Sequence, residues 1–238
     1  MPRSIQLITL CVAYCSITYE LLLAHSLSSL LGNTLLRYSM TIGIYICSLG
    51  LGAIILDRYR IKYPLSVLIK VEIVLSIVGM STPVIVFAMD ALAQSLAHWL
   101  QIPFDHSLIQ SFNKIQMHGL IIFIGILSGF EIPLLWQWAE QQTHKKASAQ
   151  VLAIDYLGTV IGAVAFPLLI LPIFGLTVAA MSTGLINVLV ALMLLMKQGV
   201  YCSKMTIICL SCVALAIVGM IWHTTINQWI IHQLFFIY

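Results

Sequence analysis

Charged side chains are scarce in this chain. Only 8% of its residues are charged, whereas 61% are hydrophobic, and the mean hydropathy is +1.04. Soluble domains carry about 25% charged residues, so this composition excludes a soluble globular domain. The net charge of +3 is too small to indicate nucleic acid as a partner. We therefore expect the lipid bilayer to be the main surroundings of the chain.

The cysteines do not suggest a disulfide framework, because five of the six lie in apolar runs. Cys209 and Cys212 form a CxxC pair, but inside an apolar helix such residues more often act as small buried side chains. We therefore predict no cofactor and no metal site. The five cysteines in apolar runs are Cys11, Cys15, Cys47, Cys209 and Cys212.

Apolar runs long enough to cross a bilayer, roughly 20 residues each, occur seven times. They cover about 5–29, 36–56, 64–88, 115–138, 149–171, 173–196 and 205–222. The predicted fold is all-α: a polytopic membrane protein with a bundle of about seven transmembrane helices over 1–222 and a short tail over 223–238. The longest link, 89–114, has a first part that fits an interfacial helix around Trp99.

Basic residues cluster on alternate links, which predicts the orientation of the bundle. Eight of the eleven fall on one side: Arg3, Arg58, Arg60, Lys62, Lys145, Lys146, Lys197 and Lys204. The positive-inside rule then places the N-terminus in the cytoplasm and the tail outside. The expected location is the cell's inner (plasma) membrane.

Small residues mark the faces on which the predicted helices pack. Gly158 and Gly162 form a GxxxG motif in the fifth span, and Gly50 and Gly52 lie in the second. Small side chains allow close approach where lipid gives helices little other reason to associate. These glycines predict tight packing within one bundle or, alternatively, a docking face for other membrane protein subunits.

Ionisable residues inside the spans are the main candidates for function, since each costs about 3 kcal/mol at mid-membrane unless paired or hydrated. They are Glu20, Lys70, Glu72, Glu131 and Asp155. Counting helix rise from the span ends places all except Glu20 in the inner part of the membrane. One hypothesis is a structural ion network in which Lys70 neutralises an acid. The other is a cation or proton route with an inner site at Glu131 and Asp155.

Four motifs, in order, carry a family resemblance: YELLL at 19–23, LGLGA at 49–53, GFEIPLL at 129–135 and DYLGTVIGAVAFPLLILPIFGL at 155–176. Over almost its whole length the chain resembles the membrane-embedded N-terminal region of bacterial multi-spanning spermidine synthase-like proteins, of the polyamine aminopropyltransferase family. The resemblance implies a seven-span bundle followed by a soluble Rossmann-like domain that transfers an aminopropyl group from decarboxylated S-adenosylmethionine to putrescine.

The chain departs from that family in lacking a strand, glycine-rich loop and helix unit for the nucleotide. We therefore expect no catalysis by this chain alone and no catalytic residues in it. The leading hypothesis is a non-catalytic membrane subunit that anchors or assembles with partners. The alternatives are a transporter or channel for polyamines, other cations or protons, and the membrane part of a split aminopropyltransferase with a separate aminopropyltransferase-like partner.

Overall fold

A computed structural model describes residues 2–31, 34–59, 61–143, 148–199, 204–225 and 228. Within these residues every regular element is helical, which confirms the all-α prediction. The seven α-helices of the described part are α1 (Arg3–Leu31), α2 (Thr34–Asp57), α3 (Pro64–Leu100), α4 (Ser107–Thr143), α5 (Ser148–Ala165), α6 (Leu171–Lys197) and α7 (Lys204–Ile221). Most of the predicted tail, and Arg60, Lys145 and Lys146 of the charge pattern, lie outside the described residues.

Six helical stretches are long and apolar enough to cross a membrane. The fifth of them extends from Ser148 to Lys197 and contains both α5 and α6. A π-helical turn, Phe166–Ile170, connects these two helices, and Gly175 near the start of α6 has φ 75° and ψ 177°. A side chain would be strained at that φ, so a glycine is needed where the helix axis breaks. The membrane boundaries themselves stay a prediction.

Helices α3 and α4 form a hairpin that is longer than the sequence predicts. Each has 37 residues, or about 55 Å of helix, against about 30 Å for the hydrocarbon core of a bilayer. The part of the hairpin over 89–114, which we call the α3–α4 extension, continues both helices. The residues around Trp99, suggested as an interfacial helix, are helical but complete α3, and their depth in the membrane stays a prediction.

Polar and apolar contacts explain why the helices continue through the α3–α4 extension. Asn113 Nδ2 donates a hydrogen bond to Asp90 Oδ1 at 2.9 Å. This bond gives a partner to the acidic residue that follows the predicted end of the third span at residue 88. Beyond this pair a small apolar cluster joins Ala93 and Ala97 of α3 to Ile109 of α4. These contacts pair the two helices up to the turn that follows Leu100.

Helices α2 and α4 pack closely through glycines on both sides of the contact. A Cβ atom added to Gly52 would lie 2.3 Å from the carbonyl oxygen of Ile126, and one added to Gly129 would lie 2.2 Å from that of Leu49. Real side chains do not approach so closely, so only glycine fits at either position. Gly50, in contrast, would meet nothing within 4 Å.

Helix α1 lies at the centre of the bundle, where it packs against α2, α3, α4, α5 and α6. It runs parallel to α5, since Gly158 lies against Leu10 and Ala13 while Gly162 lies against Tyr14 and Ile17. A Cβ atom at Gly158 would be 2.5 Å from the Leu10 carbonyl oxygen. The GxxxG motif therefore sets the distance between α1 and α5.

Candidate functional site

A cavity of about 370 Å³ lies between α1, α2, α4 and α5. Three of the predicted intramembrane acids line it, namely Glu20 of α1, Glu131 of α4 and Asp155 of α5. The remaining lining residues are Ser16, Ile17, Ile46, Leu49, Ser128, Ile132, Leu152, Tyr156 and Thr159. The packing of parallel α5 on α1 thus brings together acids that are more than 100 positions apart in sequence.

The three acids are buried to similar degrees. The exposed fraction is 7% for Glu20, 2% for Glu131 and 9% for Asp155. Glu131 Oε1 has no hydrogen-bond partner among the described residues. Because buried polar atoms in proteins are nearly always paired, this oxygen is available to a hydrogen-bond donor from outside the described residues. The arrangement does not make a metal centre: no group of three His, Cys, Asp or Glu side chains in the described ranges is placed to hold an ion.

The acids follow one another along the cavity and do not form a compact cluster. Glu131 is close enough to Asp155 for their charges to interact, and Tyr45 is close enough to both Glu131 and Glu20. From the pairing of Gly158 with Leu10 and Ala13, Asp155 and Glu20 lie roughly 15–20 Å apart along the bundle axis. The sequence placed Glu20 apart from the other acids, in the outer part of the membrane. The structure shows that it lines the same cavity, at the end far from Asp155.

Tyr45 is a site residue that the sequence did not reveal. Its side chain is fully buried, and its hydroxyl group lies 3.0 Å from the carbonyl oxygen of Ser16 and 3.0 Å from Ser128 Oγ. Ser16 and Ser128 both line the cavity. A weak signal existed for Ser128, which precedes Glu131 by three residues and so shares its helix face. An aromatic residue in the apolar run of α2 gave no such signal.

Glu72 lies near this cavity but does not line it. It is fully buried, both of its carboxyl oxygens lack a partner among the described residues, and it is near enough to Glu131 for their charges to interact. Asn187 of α6 is equally buried and unpartnered. Ser76 donates a hydrogen bond to the Gly184 carbonyl oxygen at 2.9 Å, which places Glu72 and Asn187 on facing turns of antiparallel α3 and α6.

Lys70 does not take part in the acidic site. Residues two positions apart in a helix are separated by about 200° around its axis, so Lys70 and Glu72 face opposite sides of α3. Lys70 is exposed and lines a surface pocket with Gln198 and Lys204. The hypothesis that Lys70 neutralises a neighbouring acid is therefore wrong for Glu72.

Comparison with known proteins identifies relatives of this chain. It is 30% identical over 193 residues to a polyamine aminopropyltransferase of Leptospira interrogans, which covers 81% of this chain and 35% of the relative. It is 32% identical over 181 residues to polyamine aminopropyltransferase 1 of Streptomyces coelicolor, which covers 75% of this chain and 30% of the relative. The chain is homologous to polyamine aminopropyltransferases. No protein-family model and no solved structure matches it.

These relatives correct the leading functional hypothesis. They carry an enzyme's name and match most of the chain, so the expectation of a non-catalytic anchor or assembly subunit is wrong. The membrane part of a split aminopropyltransferase fits the relatives better. The chain spans about a third of the length of the curated relatives it matches.

Proposed function

We propose that this chain forms the membrane-embedded part of a polyamine aminopropyltransferase in the inner membrane. The observation that carries the proposal is the match of about 80% of the chain to enzymes of that name. Six apolar helical stretches of sufficient length support the membrane setting. The charge pattern supports a cytoplasmic N-terminus.

The transfer chemistry itself belongs, in this proposal, to a soluble domain outside residues 1–238. Transfer to an amine needs a base that deprotonates the amine and a loop that holds the nucleotide portion of the donor. The described residues are helical and offer no strand followed by a glycine-rich loop. We expect this soluble domain to contact the bundle directly.

The experiment is an activity assay on the tagged chain isolated from its native membranes. The sample extracted in mild detergent is assayed for transfer of a labelled aminopropyl group from decarboxylated S-adenosylmethionine to putrescine. The assay is repeated after stringent washing has removed every other chain. We expect activity in the first sample and none in the second. Activity of the washed chain would overturn the assignment of catalysis to another domain, and no activity in either sample would overturn the proposed function.

A further inference from the structure

We propose that the cavity lined by Glu20, Glu131 and Asp155 is a binding site for a linear polyamine cation. This inference rests on the proposed function, which it deepens by giving the helical part of the enzyme a ligand of the substrate class. It is carried by the order of the acids, the unpartnered oxygen and the apolar walls between the acids.

The charge of the cavity calls for a cation. Three carboxyl groups line it, and no lysine or arginine is among the lining residues that the structure describes. Glu131 is 98% buried, and its Oε1 atom has no partner in the described part of the chain. A buried carboxyl group is stable as a carboxylate when a hydrogen-bonded partner of opposite charge accompanies it, and otherwise it takes up a proton. An ammonium group supplies both the charge and three N–H donors.

The spacing of the acids selects the kind of cation. A metal ion binds oxygen ligands at about 2.0–2.6 Å, so acids spread over roughly 15–20 Å cannot gather on one ion. A linear polyamine places ammonium groups at intervals along a methylene chain. The side chains of Ile17, Leu49 and Leu152, which also line the cavity, can pack against those methylene groups. The volume of about 370 Å³ is within the usual range for small-molecule sites.

The position of Asp155 provides an entry. It lies seven residues from the start of α5 at Ser148, which corresponds to about 10 Å of helix. Since the preceding link is predicted to be cytoplasmic, the Asp155 end of the cavity lies nearest the cytoplasm. A polyamine would therefore enter there and extend past Glu131 toward Glu20.

The test measures direct binding to the purified full chain, reconstituted in lipid nanodiscs without any other protein. Calorimetry at low ionic strength compares n-butylamine, 1,4-diaminobutane and the triamine spermidine. We expect the affinity to rise at least tenfold from the monoamine to the triamine. Glu131→Gln and Asp155→Asn should each weaken triamine binding at least tenfold. Glu140→Gln, which changes an acid on the same helix away from the cavity, should change it less than twofold.

Equal affinity for all three amines would overturn the proposal, as would unchanged triamine binding by both cavity variants. An equal loss in Glu140→Gln would also overturn it, because general attraction to acidic residues would then explain the binding. Leu152→Trp keeps all three acids but fills the cavity, and it should also abolish triamine binding. This variant provides the decisive measurement if an acid variant does not fold. Because the chain is studied alone, failure of binding leaves the result of the transfer assay unaffected.

Discussion

The hydroxyl group of Tyr45 on α2 lies 3.0 Å from the Oγ atom of Ser128 on α4. The same hydroxyl group is 3.0 Å from the carbonyl oxygen of Ser16 on α1. One phenol thus connects three of the four helices that line the acidic cavity. Because Ser16 and Ser128 line the cavity, the hydrogen bonds of Tyr45 hold two of its lining residues in place.

Replacing Tyr45 with phenylalanine should destabilise the bundle. The hydroxyl group of Ser128 would lose a buried partner, which costs about 1–3 kcal/mol. Helical circular dichroism during titration with a denaturing detergent measures the change in the free energy of unfolding. Tyr59→Phe is the control, because Tyr59 is 64% exposed, and its effect should be within about 0.5 kcal/mol. Equal effects of the two substitutions would contradict the bridging role of Tyr45.

Two glycines of α2 should respond differently to the same substitution. Gly52→Ala places a methyl group 2.3 Å from the Ile126 carbonyl oxygen, and such overpacking costs about 1–3 kcal/mol or more. Gly50→Ala meets nothing within 4 Å and should be neutral or stabilising by up to about 1 kcal/mol. The same unfolding titration decides. Similar stability of both variants would show that the close α2–α4 contact is absent in solution.

Close packing at Gly158 and Gly162 could be predicted from sequence, because their GxxxG spacing is typical of contacts between membrane helices, although the sequence did not say which helix is the neighbour. The number and type of helices followed from apolar length in the same way. The side of α3 on which Lys70 lies, and the hydrogen bonds of Tyr45 with residues of α1 and α4, could not be predicted. Both depend on how helices rotate against neighbours that are distant in sequence. The continuation of α3 beyond Asp90 was missed because its partner, Asn113, lies on another helix.

The pairing of Asp90 with Asn113 should stabilise the α3–α4 extension locally. Asp90→Ala leaves the buried Asn113 amide without its partner, at a cost of about 1–3 kcal/mol. Hydrogen exchange of the backbone over 89–114 should then be about tenfold faster or more, since local opening becomes easier. Asp105→Ala alters an exposed acid in the turn between the helices and should leave exchange unchanged. Unaltered exchange in Asp90→Ala would mean that the apolar cluster alone holds the extension together.

The predicted orientation can be tested with two exposed residues at opposite ends of α3. Trp99 is 78% exposed near its end, and Tyr59 is 64% exposed shortly before its start. Each is changed to cysteine in a variant that has no other cysteine, and intact cells are treated with a membrane-impermeant thiol reagent. We expect the cysteine at 99 to react at once and the cysteine at 59 only after permeabilisation. The reverse pattern would invert the topology and place the tail in the cytoplasm.

The parallel contact between α1 and α5 also makes the cavity adjustable. Helix α5 supplies Asp155 and three other lining residues of the cavity, Leu152, Tyr156 and Thr159, and its main neighbour is α1. A methyl group at Gly158 would clash with the Leu10 carbonyl oxygen and move α5 away from α1. The capacity of the cavity can therefore be changed while every carboxyl group is kept. Chain length and charge of a bound amine could thus be selected by separate positions on one helix.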